Sequence, residues 1–78
     1  YMGKRVFKYD KVLCRKFGKR LSDLRKDANI TQEELAFQAN ISPSYLSAIE
    51  RGITDTTIST VKRLSKALDQ DLITLFHF

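Results

Sequence analysis

The stretch TQEELAFQANISPSYLSAIERG, which begins at Thr31 and ends at Gly52, constrains the fold more than any other part of the sequence. Thr31 and Glu34 have the spacing of a capping box, in which each side chain accepts a hydrogen bond from the backbone amide of the other residue. Ser42 followed by Pro43 marks a second helix start, because proline suits the first position of a helix. Gly52 is placed to end that second helix. The stretch therefore predicts two short helices in close succession.

The corner between these two helices is tight, because only Asn40 and Ile41 separate them. Asn tolerates the left-handed backbone conformation that such a corner requires. Apolar residues at helical spacing predict the buried faces, which are Leu35, Ala36 and Ala39 on the first helix and Leu46 and Ile49 on the second. Two helices joined in this way resemble a helix-turn-helix, a motif that places its second helix in the major groove of DNA.

Further motifs make the resemblance more specific. ANIS, SYLSAIERG and KRLSKAL follow TQEELA in an order that is similar to the Cro/repressor-type, or XRE-like, helix-turn-helix family. The resemblance covers most of the chain, from about Phe17 to Phe76. It implies a protein that binds double-stranded DNA. The alternative is an ordinary helix pair inside a small bundle that binds no nucleic acid.

The rest of the sequence predicts three more helices, and therefore an all-α, compact five-helix bundle. A helix that is capped by Asp10 and runs to about Ala28 has one apolar face, formed by Leu13, Phe17, Leu21 and Leu24. A later helix, capped by Thr57, is expected to direct four residues inward: Ile58, Val61, Leu64 and Leu68. A last short helix is predicted in LITLFHF at the end of the sequence.

The net charge of +5 is unevenly distributed along the chain. Residues 1–26 contain ten Lys or Arg against two Asp, whereas the remaining residues contain four basic and seven acidic groups. A basic segment suits contact with phosphate groups, although a solvated, lysine-rich helix face is an equally common origin of such charge. We expect residues 1–9 to form a basic N-terminal arm and residues 10–78 to form the helix-turn-helix DNA-binding domain with a C-terminal dimerisation helix.

The sequence favours a protein that is not an enzyme and that needs no cofactor, metal ion or small-molecule ligand. The only His is His77, which has no Cys or acidic cluster at ligand spacing. Cys14 is the only cysteine, which excludes an internal disulfide and suits the reducing cytoplasm of a bacterial or phage-encoded protein. We expect its thiol to be buried or inert. No apolar run approaches the ~20 residues of a membrane-spanning helix.

The family resemblance implies which residues contact DNA. Gln32, in the first turn of the first motif helix, matches a Gln that binds a phosphate beside the positive end of the helix dipole. The second motif helix matches the recognition helix, in which Pro43, Ser44 and Ala48 approach base edges with Ser47 nearby. The full set of predicted DNA-binding residues is Gln32, Ser42, Pro43, Ser44, Tyr45, Ser47, Ala48, Arg51 and Thr54. Because this surface has few donors, we expect modest direct readout of bases, with more specificity from DNA shape and the basic arm.

Several of these residues also have a purely structural interpretation. Gln32, Ser44 and Ser47 suit solvated helix positions. The hydroxyl of Tyr45 is within reach of a phosphate, whereas its ring is also suited to packing against the preceding helix. Arg51 ends the recognition helix, where a positive charge is favourable in any case.

Four other residues have roles that follow from the resemblance or depart from it. The family positions that match Arg25 and Glu50 form an ion pair, which we expect to be structural. Asp55 lies in a loop that is expected near phosphates, where a negative charge is unfavourable. Phe37 occupies a position that is often polar, and we expect it to pack against the arm through Val6, Phe7 or Tyr9.

The leading hypothesis is a sequence-specific transcriptional regulator, of repressor or controller type, that acts as a homodimer on a palindromic operator. Exposed apolar patches usually mark interfaces, and the last seven residues contain five large apolar side chains: Leu72, Ile73, Leu75, Phe76 and Phe78. We expect the homodimer to form through them, the alternative being that all five close the core. A second hypothesis is an antitoxin-like or adaptor module that binds proteins and binds DNA only weakly.

Overall fold

A computed structural model describes residues 9–78. This part of the chain contains no strand and folds into four α-helices and one 3₁₀ helix: α1 Lys11–Asp27, α2 Gln32–Ala39, α3 Pro43–Arg51, α4 Ile58–Ala67 and the 3₁₀ helix Leu72–Phe76. The all-α prediction is confirmed, but the prediction of five α-helices is wrong in the last element. That element is only five residues long and has no side-chain cap at Asp71, so it closes as the tighter helix that suits short segments. Apart from Tyr9, the predicted arm lies outside the described residues.

Each α-helix begins at the cap that the sequence predicts. The hydroxyl or carboxylate of the capping residue accepts a hydrogen bond from the amide three residues later at Asp10, Thr31, Ser42 and Thr57. The capping box is complete, since Glu34 also accepts from the amide of Thr31 at 2.8 Å. The left-handed corners at Asn40 (φ 58°) and Gly52 (φ 72°) are confirmed as well. The local signals therefore give the correct boundaries of the helix-turn-helix.

One hydrophobic core lies beneath all five helices. Its buried members are Phe17, Leu21, Leu35, Ala36, Ala39, Leu46, Ile49, Val61, Leu64, Leu68 and Leu75. The predicted inward faces of α2 and α3 are confirmed completely. In α1 and α4, however, the prediction is wrong for Leu13 and Ile58, which are 45% and 83% exposed. Helical periodicity assigns a residue to a face but not to a depth along the helix axis, and both residues lie in the first turn of their helix.

The crossing of α1 over α3 depends on glycine. A Cβ atom on Gly18 would lie 2.6 Å from the carbonyl oxygen of Glu50 and closer still to that of Ile49. These contacts are with backbone atoms, which cannot rotate away as a side chain can. Gly18 therefore lets α1 approach the C-terminal turn of α3.

Two arginines link the other elements. Arg20 donates from Nε to the carbonyl oxygen of Thr74 at 3.0 Å and so fixes the 3₁₀ helix against α1. Arg63 of α4 donates from Nε to the carbonyl oxygen of Ala39 at 2.8 Å, a carbonyl in the last turn of α2 that lacks an intrahelical partner. The corner between α2 and α3 is thereby fixed to α4. Among residues 9–78, no helix has the length and apolar character needed to cross a membrane.

Candidate nucleic-acid interface

Helix α3 buries one face and leaves the other open. Leu46 and Ile49 are buried in the core. Along the opposite face, the predicted contact residues are exposed at Ser42, Pro43, Ser44 and Arg51 and half-buried at Ser47 and Ala48. These side chains form one continuous strip from the capped N-terminus of α3 to its last turn. The strip offers three hydroxyls, two apolar groups and a terminal guanidinium that can contact a duplex.

A buried ion pair anchors the end of this helix. Arg25 of α1 contacts Glu50 of α3 through Nε to Oε2 at 2.7 Å and through Nη2 to Oε1 at 3.1 Å. Their side chains are 11% and 5% exposed. Arg25 also donates to the carbonyl oxygen of Ile30 at 2.9 Å. The predicted ion pair is confirmed, and it fixes α3 relative to α1 and to the chain that enters α2.

Gln32 belongs to the same network, which the sequence reasoning missed. Its Nε2 donates to Oε1 of Glu50 at 2.9 Å. One amide hydrogen of the side chain is thus committed, and the second hydrogen and Oε1 remain for an external partner. The backbone amide of Gln32 lies at the first position of α2, where a helix supplies no acceptor. No local pattern reveals this link, because the two residues are 18 positions apart.

Tyr45 lies at the edge of the strip and has a fixed side chain. Its ring packs against the core while remaining half-buried. Its hydroxyl oxygen lies 3.2 Å from Oγ1 of Thr56, and the two hydroxyls form a hydrogen bond. Thr56 lies in the loop between α3 and α4, so the bond connects α3 to that loop.

Hydrogen bonds between its own residues stabilise the loop that follows α3. Thr54 donates from its hydroxyl to the carbonyl oxygen of Asp55 at 3.2 Å, and the amide of Thr56 donates to Oδ1 of Asp55 at 2.9 Å. Asp55 is exposed, so its negative charge faces solvent beside the predicted interface. Arg51 donates from Nε to the carbonyl oxygen of Ser47 at 3.3 Å, which agrees with its structural interpretation and leaves its other nitrogens for a phosphate.

Cys14 lies partly buried near this loop. Burial raises the pKa of its thiol above the usual value, and the carboxylates of Asp55 and Asp10 raise it further. A raised pKa keeps the thiol protonated at neutral pH, and a protonated thiol is a poor nucleophile. The direction of this shift agrees with the expectation of an inert thiol.

A second surface feature lies on the side of the molecule where α1, α4 and the 3₁₀ helix meet. It is a cavity of about 390 Å³, here called the apolar groove, lined by Leu13, Asp55, Thr56, Ile58, Val61, Leu72 and Phe76. Leu72 and Phe76 are 40% and 45% exposed. The groove thus collects large apolar side chains from three elements at one site.

The predicted interface residues at the C-terminus divide into two groups. Leu72, Ile73, Phe76 and Phe78 are exposed, as predicted for an interface. Leu75 is completely buried in the core, so its assignment to the interface is wrong. A 3₁₀ helix turns inward one residue in three, and in this segment that residue is Leu75. Phe37 on α2 is 85% exposed, and its predicted partners Val6 and Phe7 lie outside the described residues.

Comparison with known proteins gives a consistent result. A helix-turn-helix family model matches residues 21–75. The control protein C.BamHI of Bacillus amyloliquefaciens is 36% identical over 53 residues, which cover 67% of this chain and 65% of that protein. The immunity repressor protein of Bacillus phage phi105 is 41% identical over 51 residues, which cover 65% of this chain but only 35% of the repressor.

A solved structure resembles most of the described fold. The restriction-modification controller protein C.AhdI of Aeromonas hydrophila has a TM-score of 0.80 and 36% sequence identity, and the match covers 81% of this chain and 96% of that one. The family match spans more than half of the chain and includes both motif helices and the buried ion pair. The chain therefore belongs to the XRE-like helix-turn-helix family.

Proposed function

We propose that this protein is a sequence-specific transcriptional regulator that binds double-stranded DNA. The observation that carries the proposal is the rigid presentation of α3, whose inner face lies in the core and whose last turn is anchored by the Arg25–Glu50 pair. A helix held in this way can enter a major groove without losing much conformational entropy. The similarity to a restriction-modification control protein and to a phage immunity repressor supports this function. Such a regulator acts in the cytoplasm of a bacterium.

We assign the contacts as follows. Gln32 binds a phosphate through its free amide hydrogen and its backbone amide, with the positive end of the α2 dipole behind it. Pro43 and Ala48 offer apolar contact to thymine methyl groups, and Ser44 and Ser47 offer hydroxyls that bond several bases. Ser42, Arg51 and Thr54 border this surface. With so few selective donors, DNA shape contributes a large share of the specificity.

We infer that the protein acts as a homodimer that pairs through the apolar groove. Each copy exposes four large apolar side chains at this groove: Leu13, Ile58, Leu72 and Phe76. In a two-fold symmetric dimer the same side chains of both copies would be buried in the interface. Burial of such a surface is favourable by about 25 cal/mol per Å² before the costs of association are subtracted. Two-fold pairing also places two recognition helices about 34 Å apart, as a palindromic operator requires.

The salt dependence of binding to a random-sequence duplex tests the DNA-binding function. Because phosphate contacts release counterions, affinity should fall steeply with salt, and replacing a residue that makes one contact should reduce the slope by about 0.9. We expect this reduction for Arg51→Ala. Lys66→Ala is the matched control, since it removes an equal charge from the exposed end of α4, away from the strip.

A protein-interaction module remains the second candidate. The exposed carboxylate of Asp55 and the donor-poor face of α3 favour it. Such a module would bind the random duplex weakly at low salt, with equal slopes for the parent and Arg51→Ala. The protein-interaction module would be excluded if the affinity for the random duplex is salt-sensitive and if Arg51→Ala reduces it whereas Lys66→Ala does not.

A further inference from the structure

Another cavity, of about 450 Å³, lies between α1 and the two residues that follow the 3₁₀ helix. It is here called the basic cavity, because four cationic side chains of α1 line it: Arg15, Lys16, Lys19 and Arg20. Phe78 lines its other side, with its ring centroid 6.4 Å from that of Phe76. Phe78 is 51% exposed and lines this cavity rather than the apolar groove.

The positive charge of the basic cavity is only partly compensated. Asp23 is the single carboxylate that lines it, and Asp23 contacts Lys19 at 3.3 Å in an exposed pair, which is weak in water. In the part of the chain that the structure describes, Arg15, Lys16 and Arg20 have no carboxylate within salt-bridge distance. Four cations against one carboxylate leave a net charge of +3, so the cavity attracts anionic groups.

Most of the surface that lines the basic cavity is nonetheless apolar. The ring of Phe78 and the methylene stems of the lysines and arginines supply this surface. A phosphodiester backbone has no apolar group that covers such a surface, whereas an aromatic side chain covers it well. The best complement is therefore an anionic chain that also carries an aromatic group.

The basic cavity also lies apart from the exposed strip of α3. Gly18 marks the side of α1 that contacts α3. Because an α-helix turns by about 100° per residue, Lys16 and Asp23 project roughly 140–160° away from Gly18. They are thus on the opposite side of α1, and no residue that lines the cavity belongs to the strip. The two surfaces are separate.

We propose that the basic cavity is a docking site for an acidic peptide segment of a partner protein, in which carboxylates flank an aromatic residue. The carboxylates bind the cations of α1, where the guanidinium of Arg15 offers two parallel hydrogen bonds to one carboxylate. The aromatic side chain packs against the ring of Phe78. The inference goes beyond the proposed function and does not rest on it, since it uses no residue of the strip.

The peptide EEWEE is the probe, and QQWQQ is its uncharged counterpart. The protein contains no Trp, so tryptophan emission reports on the peptide alone. Lys16→Glu and Phe78→Ala change the charge and the ring of the basic cavity. Their matched controls are Lys62→Glu on α4 and Phe37→Ala on α2, which make the same changes at exposed positions elsewhere. Circular dichroism verifies that all variants are folded.

At a salt concentration of about 0.15 M, which screens distant charges, the emission of EEWEE should shift to shorter wavelength as the parent protein is added. QQWQQ should show no shift at the same protein concentrations. Lys16→Glu should weaken binding by about five- to thirty-fold, because it removes one attraction and adds one repulsion. Phe78→Ala should weaken binding by about two- to ten-fold, the effect of one aromatic contact. Both controls should stay within about two-fold of the parent.

Several results would overturn the proposal. Absence of EEWEE binding, equal binding of QQWQQ, or equal weakening by Lys16→Glu and Lys62→Glu would show that these residues form no site for an acidic peptide. Loss of affinity for a random-sequence duplex in Phe78→Ala, which has the same charge as the parent, would assign the cavity to nucleic acid. A weaker dimer in Phe78→Ala, measured by sedimentation, would assign the cavity to a second copy of the chain.

Discussion

Leu13 in the first turn of α1 and Ile58 in the first turn of α4 face the same apolar groove, although they are 45 positions apart in the chain. The helical period of each segment assigns both residues to the core, yet they are 45% and 83% exposed. Their periodicity is nonetheless meaningful if a second copy of the chain covers them. In that case, the exposed apolar residues in the first turns of α1 and α4 would belong to a dimer interface that adjoins the core of each copy.

Ile58→Ser should weaken the dimer without unfolding the monomer, because the side chain is mostly in water in one copy. A two-fold interface contains the substitution twice, so the loss of apolar burial is doubled. Sedimentation over a range of concentrations measures the dissociation constant. Val12→Ser is the matched control, since Val12 is 64% exposed but does not line the groove. A parent protein that stays monomeric, or equal weakening by both variants, would contradict pairing through the groove.

Glu50→Ala should lower the free energy of unfolding by on the order of 3 kcal/mol, because it leaves the guanidinium of Arg25 buried without a counter-charge. Denaturant unfolding measures this loss. Asp23→Ala removes a carboxylate from an exposed pair, in which Lys19 is 79% and Asp23 50% exposed. It should cost less than about 1 kcal/mol, as is usual for surface pairs. Similar losses for the two variants would show that burial of the Arg25–Glu50 pair is unimportant.

Gly18→Ala should destabilise the fold although alanine is the better helix former. The new methyl group would meet two backbone carbonyl oxygens of α3, and overpacking of this kind costs about 1–3 kcal/mol. Lys16→Ala, on the exposed side of the same helix, should change stability by less than about 0.5 kcal/mol. Thermal melting of the three proteins provides the comparison. A Gly18→Ala variant as stable as the parent would mean that α1 and α3 can separate freely.

Gln32→Ala should weaken binding to every duplex by a similar factor, because a phosphate contact carries no sequence information. Competition between a selected duplex and its scrambled counterpart measures the two affinities. Gln38→Ala, on the exposed side of α2, is the control and should leave both unchanged. A loss restricted to the selected duplex would show instead that Gln32 contacts a base.

The sequence predicts the local features of this fold well. Caps at Asp10, Thr31, Ser42 and Thr57 and the left-handed corner at Asn40 are confirmed. Each depends on one side chain and a backbone group within a few residues, so a short pattern contains the necessary information. The ion pair between Arg25 and Glu50 was also expected, but only from the family resemblance.

The contacts that the sequence did not predict all depend on distance along the chain. Three hydrogen bonds join residues that are 11 to 24 positions apart: Gln32 with Glu50, Tyr45 with Thr56, and Arg63 with the carbonyl of Ala39. No periodicity predicts such pairs, because they arise from the crossing of helices after these have formed. The last element was predicted as an α-helix, and this was wrong for a local reason, since the segment is only five residues long and lacks a side-chain cap.

Enrichment of duplex DNA from a random pool, followed by measurement of the number of chains bound per enriched duplex, tests the central claim most directly. We expect an inverted repeat whose half-sites are about one helical turn apart, with two chains bound per duplex. Affinity for the enriched duplex should exceed that for scrambled sequence by at least about 10³. Recovery of unrelated sequences that bind no better than the starting pool would contradict the proposal of a dimeric, sequence-specific regulator.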